Sequence, residues 1–169
     1  MKLTLYMAIS VDGKITRGET DSDWVSETDW DQFYQYVTGS DAVIMGRKTM
    51  DQFEGDDFPM KGPVNIVLTR NKNLHNETET EIISDRSPKE IMALAKEKGW
   101  ENLLLIGGED INGQFLEENL IDEMVLSVHP LIIGEGLTLF SKDVSADLER
   151  LGTTELEDGL IQVRYKVKK

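Results

Sequence analysis

Residues 41–50 read DAVIMGRKTM. The apolar run Val43, Ile44, Met45 stops at Gly46, and Arg47, Lys48 and Thr49 follow at once. This is the pattern of a buried strand that turns into a helix. Glycine lets a ligand approach the backbone, and the first N–H groups of a helix attract phosphate. Arg47 can fork onto a phosphate and Lys48 can add a point charge. The same residues also suit a plain strand–helix turn with two solvated cations. A second stretch, LLLIGGEDI, places Gly107 and Gly108 directly after an apolar run. Ligands of open α/β sheets sit at the carboxyl ends of strands, and two glycines there leave room on the backbone. The other reading is a tight turn. Glu109 and Asp110 suit a helix N-terminus, but they would repel a phosphate and are expected to point away from it.

Two further stretches carry acids. In SVDGK, Asp12 before Gly13 reads as a turn residue that caps backbone N–H groups. In DWVSETDWD, Trp24, Ser26 and Asp29 stand near the start of a helix. Asp29 either completes a capping pair with Ser26 or enters a pocket from the edge of the Trp30/Phe33 face and binds a protonated heterocycle. His75 and His129 are far apart; neither joins a metal-ligand spacing or a persuasive Ser/His/Asp order.

The elements that position these groups follow from periodicity. Residues 3–11 form a strand, with a loop to about residue 25. SETDWDQFYQYV has Trp30, Phe33, Tyr34 and Val37 at helical spacing, with Ser26 or Thr28 as cap. DAVIMG is a strand and KTMDQF a short helix. PVNIVLT and the segment around residues 81–83 are strands. SPKEIMALAKEKG has a cap at Ser87, Pro88 in the first turn, Glu90 as capping-box partner and Gly99 as stop. NLLLIGG shows no polar alternation, as in a strand buried on both faces. EDINGQFLEEN is a helix interrupted by Gly113. IDEMVLSVHPLIIG is a long strand, LTLF a short one, and the last twenty residues a hairpin turning at Asp158-Gly159. Strands alternate with helices and a β-meander ends the chain. That order predicts an α/β domain with a mixed, largely parallel sheet.

The totals exclude whole classes. The 169 residues suit one domain, residues 1–169. The formal net charge of −14 argues against binding nucleic acid or an anionic membrane. The absence of cysteine removes disulfides and thiolate chemistry. The start lacks signal-peptide character and no apolar run approaches a membrane span, so a cytoplasmic protein is expected.

Taken in order, YMAISVDGKI, DWVSETDWDQF, DAVIMGRKTM, IVLT, LLLIGGEDI, LIDE, HPLIIGEG and GLIQVRY resemble the dihydrofolate reductase superfamily over nearly the whole chain. The branch they resemble most includes the reductase domain of riboflavin biosynthesis. The resemblance implies a mixed sheet flanked by helices, ending in an antiparallel hairpin, with NADPH as cofactor. It places Gly46, Arg47, Lys48 and Thr49 at the phosphates, with Arg47 nearest the 2′-phosphate. Leu68, Thr69 and Arg70 would border the adenosine. Ile106, Gly107, Gly108 and the helix start Glu109, Asp110, Ile111 would carry the pyrophosphate and nicotinamide. Ala8 and Ile15 would meet the nicotinamide.

On the substrate side Asp29, with Asp31 as alternative, matches the acid that binds a pterin, and Trp24 and Ser26 accompany it. Tyr6 stands where the riboflavin-type reductases carry lysine, and DQFEGDDFPMKG matches their acidic stretch poorly. The implied function is reduction of a small heterocycle by NADPH, with a water held by Asp29, or by a hydroxyl such as Ser26, as proton source, in a homodimer. The alternatives are a dihydrofolate reductase acting on a pterin and a nucleotide-binding module without turnover.

Overall fold

The computed structural model describes residues 1–53, 58–141 and 143–169. In chain order the elements are β1 (Lys2–Ser10), α1 (Glu27–Thr38), β2 (Ala42–Gly46), α2 (Arg47–Met50), β3 (Val64–Leu68), β4 (Asn76–Glu77), β5 (Glu81–Ser84), α3 (Pro88–Lys98), β6 (Asn102–Leu105), α4 (Glu109–Glu117), β7 (Glu123–His129), β8 (Leu148–Glu155) and β9 (Ile161–Val167). They form one sheet in the order β4-β5-β3-β2-β6-β1-β7-β9-β8. From β5 to β7 every neighbouring pair is parallel. β4 against β5, and the β7/β9/β8 meander, are antiparallel.

The central strands are apolar on both faces because both are covered. Leu3, Leu5, Ala42, Ile44, Ile66, Leu103, Leu105 and Met124 face one core, which Ile91 and Ala95 of α3 and Phe115 and Leu116 of α4 complete. The alternate residues Tyr6, Val43, Met45, Val67, Leu104 and Val125 face a second core closed by Phe33 and Val37 of α1. Fully burying one such aliphatic side chain stabilises by roughly 1.5–3 kcal/mol. A one-residue register slip would exchange the two sets, so the pairing is strongly specified.

Helix ends follow their expected chemistry in α1 and α3. Ser26 accepts the Asp29 N–H, while Ser87 and Glu90 complete a capping box and Gly99 ends α3 in the left-handed region. The hairpin turns where it was expected, with Asp158 and Gly159 both at positive φ, but through the longer connection of residues 156–160 and not a two-residue turn.

Five further readings differ from the structure, the first being the short helix of residues 48–53, which instead runs Arg47–Met50 and gives way to a turn at Asp51. Gly113 does not interrupt its helix; it lies buried inside a continuous α4. The long strand of residues 121–134 ends at His129, because Pro130 has no N–H for a ladder and Leu131 folds back onto the His129 carbonyl. LTLF is not a strand: Glu109 binds the Thr138 N–H and Asn112 binds the Leu139 carbonyl, taking backbone groups a ladder would need. The two-residue strand β4 was not anticipated. The stretch DQFEGDDFPMKG includes residues 54–57, which lie outside the described residues. No helix among the described residues is long and apolar enough to cross a membrane.

Two loops at the carboxyl end of the sheet zip together. Ile15 donates to the Leu137 carbonyl and Gly18 to the Glu135 carbonyl. Gly136 packs so closely on Thr16 that an added Cβ would overlap the Thr16 carbonyl oxygen. Asp12 latches the pair from outside. It accepts from the Ser10 hydroxyl at 2.7 Å and from the N–H groups of Ile133 and Gly134 at 3.0 and 2.7 Å. It does cap backbone N–H groups, but those of a loop 121 and 122 residues away, while in its own turn it accepts from the Ser10 hydroxyl.

The Ser10 hydroxyl, followed by the two N–H groups, pulls the Asp12 carboxyl down to about 2 from 3.8. A carboxyl depressed in the folded state stabilises the fold above its unfolded pKa, and that contribution is lost as pH falls through the window from 3.8 to about 2. Asp12→Asn should therefore be less stable at neutral pH and lose less stability on acidification across that window. Urea midpoints measured at neutral pH and at about pH 3 test this; parallel losses in the two proteins would show that Asp12 does not act as a latch.

Candidate active site

At the carboxyl ends of β1, β2, β3 and β6 lies a cavity of about 670 Å³. Parallel strands bring their last residues to one edge of the sheet, so Ala8, Gly46, Leu68 and Ile106, far apart in sequence, share its wall. Ile15, Arg47, Lys48, Thr49, Gly108, Glu109, Asp110 and Ile111 also line it, and Asp29 faces it from α1. Trp24, Ser26, Thr69, Arg70 and Gly107 are not on the wall. Thr69 and exposed Arg70 continue outward from the end of β3. Asp31 is exposed on the outside of α1.

One half of the cavity gathers two helix starts and two cations. α1 and α3 have side-chain caps, whereas α2 follows Gly46 and α4 follows Gly108 with no side-chain cap hydrogen bond at either start. Such starts present unsatisfied N–H groups. The neighbouring acids are turned aside: Glu109 binds Thr138, and Asp110 binds Ser141 at 2.5 Å. The two glycines differ. Gly107 has φ 103 and sits 3.2 Å (as a hypothetical Cβ) from the Met7 sulfur, so the fold itself requires glycine there. Gly108 has φ −76, and a Cβ on it would meet only the Thr49 hydroxyl, at 3.5 Å. The fold leaves space at Gly108. Arg47 is already engaged, in an ion pair with Asp51 one turn along.

The other half is built around Asp29. This residue is 1% exposed, on the inward side of α1. Its Oδ1 accepts the Tyr6 hydroxyl at 2.5 Å. Tyr6 comes from β1, and the Gln162 amide of β9 donates to its oxygen and to Ser127 of β7, both at 3.3 Å. Burial first, and the Asp29 charge second, push the Tyr6 phenol well above its usual pKa, so it remains a neutral donor. Asp29 Oδ2 is buried with no hydrogen-bond partner. His129 Nε2 lies 3.7 Å from it, beyond hydrogen-bond range. The His129 Nδ1 stands 3.2 Å from the Ser127 carbonyl, which can only accept, so the ring proton is assigned to Nδ1. Nε2 then accepts the Ser26 N–H at 3.3 Å and ties the start of α1 to β7. Ser26 and Trp24 thus stand behind Asp29, Trp24 edge-on to His129 at 5.0 Å.

Ser26 does cap the Asp29 N–H, but the Asp29 carboxylate turns inward and makes no reciprocal cap. Trp30, Phe33 and Phe53 complete the wall beside it, with the Phe33 and Phe53 rings 15° from parallel. The polar cluster of Ser127, His129 and Gln162 was not singled out from the sequence. The signal was there: Ser127 and His129 alternate within an apolar strand, so both point to one buried face and need polar partners.

The family model for the RibD C-terminal domain matches residues 1–161. The chain is 28% identical over 172 residues to the uncharacterized protein YwjB of Bacillus subtilis (strain 168), covering 97% of each. It superposes with a TM-score of 0.80 on a diaminohydroxyphosphoribosylaminopyrimidine deaminase/5-amino-6-(5-phosphoribosylamino)uracil reductase of Thermotoga maritima. That match has 19% identity and covers 99% of this chain and 56% of that one. Dihydrofolate reductase of Enterococcus faecalis, solved with NADP(H), gives a TM-score of 0.76 at 19% identity over 99% of this chain and 97% of that one. At these identities the two structures establish a common dihydrofolate reductase-like fold.

Tyr6→Phe tests the cluster. It removes the hydrogen bond to Asp29 and leaves a buried carboxylate without its donor. An orphaned buried polar group costs about 1–3 kcal/mol, so the urea midpoint should fall by that equivalent with native far-UV circular dichroism. An unchanged midpoint would mean that water replaces the phenol and that the cluster is less closed than described.

Proposed function

The chain belongs to the RibD C-terminal domain family, and on that premise we propose that it is an NADPH-dependent reductase of a small heterocycle. One observation carries the reading. A single cavity joins an unpartnered buried carboxylate oxygen, Asp29 Oδ2, to two helix starts that no side chain caps. The first asks for a ring N–H; the second asks for an anion.

The residues fit the cofactor. The starts of α2 and α4 and the open space at Gly108 suit a pyrophosphate. Arg47, Lys48 and Arg70, at the carboxyl ends of β2 and β3, suit the 2′-phosphate, and Leu68 suits the adenosine. Ala8, Ile15 and Ile106 give an apolar wall for the nicotinamide. When bound, the cofactor supplies a hydride to the acceptor carbon. The chain has to orient the acceptor and deliver a proton to the adjoining heteroatom. Asp29 would bind the ring N–H and fix its orientation against the Trp30, Phe33 and Phe53 wall. Tyr6 is not the proton source, since burial keeps its phenol a weak acid. Asp29 is the ionisable group on the α1 wall and would relay a proton from water.

NADPH loss at its absorbance band, with pterins, pyrimidines and small carbonyls as acceptors, tests turnover. With an accepted substrate, Asp29→Asn should lower kcat/KM by about a hundredfold or more, with the fold intact by circular dichroism. Normal kinetics in that protein would remove Asp29 from the chemistry.

The cofactor choice is carried by Arg47. NADPH and NADH differ by one phosphate. A charge-assisted contact is worth roughly 1.5–3 kcal/mol, or about tenfold to a hundredfold in affinity. Arg47→Ala should weaken NADPH much more than NADH. The remaining preference, carried by Lys48 and Arg70, should shrink as salt rises. Titration of both proteins with both cofactors at two salt concentrations decides it; equal losses for the two cofactors would show that Arg47 does not read the 2′-phosphate.

A further inference from the structure

We infer that His129 is a positioning residue for this site: while its ring is neutral it leaves Asp29 to the ligand, and once protonated it takes Asp29 for itself. This role rests on the reductase reading, since it governs the group that reading gives to the substrate ring.

The His129 ring and the Asp29 carboxylate are both buried, 3% and 1% exposed. Nε2 and Oδ2 stand 3.7 Å apart, and Oδ2 has no donor. With the ring proton on Nδ1 against the Ser127 carbonyl, Nε2 is an acceptor and takes the Ser26 N–H at 3.3 Å. Two acceptors therefore stand opposite each other with no proton between them. An imidazole nitrogen has a single lone pair. A proton arriving at Nε2 displaces the Ser26 N–H and makes the ring a donor at both nitrogens, with Nδ1 still on Ser127. Two acceptors then compete for Nε2–H: the Ser26 hydroxyl at 3.5 Å and Asp29 Oδ2 at 3.7 Å. The carboxylate prevails, because opposite charge adds to the hydrogen bond and burial strengthens both.

The other neighbours do not alter this exchange. β1 contributes Tyr6, whose neutral hydroxyl sits on Asp29 Oδ1, and Ser10, opposite His129 in the sheet. Asp12 is engaged with the Ser10 hydroxyl and the Ile133 and Gly134 N–H groups. β9 contributes the Gln162 amide, which is on Ser127 and Tyr6. The segment before α1 contributes Ser26 and Trp24, the latter edge-on at 5.0 Å. Among the described residues, Asp29 is the acid within ion-pair reach of the ring.

A ligand N–H and His129 Nε2–H thus call on the same oxygen, and an imidazolium cancels the charge that draws the ligand. Ligand binding and protonation of His129 oppose each other, and the opposition is reciprocal. Affinity is highest with the ring neutral and falls as pH drops through the range in which imidazole takes up its proton.

Uracil is the probe: it offers a ring N–H and does not ionise in that range. Its affinity is measured by calorimetry at about pH 8 and about pH 5.5, on either side of the imidazole titration. The wild-type protein should bind it at least about threefold more weakly at the lower pH, within the limit of about tenfold per pH unit for one linked proton. In His129→Gln, whose amide takes up no proton, that ratio should fall to nearly one. Side-chain 15N NMR of the wild-type protein decides without any substitution, since the chain has 2 histidines and exposed His75 serves as reference. At the higher pH His129 should show the Nδ1–H tautomer. At the lower pH saturating uracil should move its signals towards that pattern and leave His75 unmoved. An Nε2–H tautomer at the higher pH, His129 signals that uracil does not move, or the same pH ratio in the wild-type and His129→Gln proteins overturns the inference. Uracil still binds in each of those cases, so the reductase reading survives. If uracil binds at neither pH, the assignment of Asp29 to the substrate ring falls and the inference falls with it.

Discussion

A parallel sheet buried on both faces has almost no room for polar side chains along its length. Each buried polar group needs a partner, and an unmet one costs about 1–3 kcal/mol. The central strands obey this: β2 and β6 are apolar from Ala42 to Met45 and from Leu103 to Leu105. Chemistry is thereby pushed to the strand ends, where the chain must turn and water or a ligand can enter. The cavity at the ends of β1, β2, β3 and β6 is the result of that constraint.

The polar cluster of Tyr6, Asp29, Ser127 and Gln162 is the exception inside the sheet, and its partners explain how it is tolerated. Three of its members come from adjacent strands, β1, β7 and β9, in one register row or next to it. The fourth arrives from α1. His129 and Ser26 secure that helix to β7. Every donor in the cluster finds an acceptor, yet one acceptor, Asp29 Oδ2, is left over. A fold that satisfies Gln162, Tyr6 and Ser127 together could have satisfied one more oxygen with a serine or an asparagine on the same strands. Asp29 lines the cavity, and its Oδ2, 3.7 Å from His129 Nε2, is an acceptor that the surrounding residues leave unmet, which suits a group that takes a ligand better than a structural hydrogen bond.

How much of this could be read from residues alone depended on whether the signal was local. The alternation of strand and helix, the capping box at Ser87–Glu90 and the turn at Asp158-Gly159 are local, and they appear in the structure where they were read. The glycines at 46 and 108 could be placed at strand ends because periodicity locates strand ends. The competition for backbone groups is not local. LTLF has the composition of a strand, but Glu109 and Asn112, more than 25 residues earlier, take its hydrogen bonds. Asp12 looked like a turn residue, and only the fold shows it holding Ile133 and Gly134. Asp29 was ambiguous between cap and pocket for the same reason: its backbone caps with Ser26 while its carboxylate reaches Tyr6, and sequence spacing reports only the first.

The distribution of charge follows from the same division of labour. An acidic chain that must hold an anion cannot rely on its overall field, which repels the ligand. It can use backbone N–H groups, which carry no net charge, supplemented by a few cations placed beside them. On the proposed reading the uncapped starts of α2 and α4 would do this, with Arg47 and Lys48 at hand and Glu109 and Asp110 bound to Thr138 and Ser141. Those two bonds do more than close a loop: each fixes a carboxylate beside the start of α4. Under the proposed reading, the chain thus turns its negative charge aside at the helix starts where an anion would sit, and relies there on groups that carry no net charge.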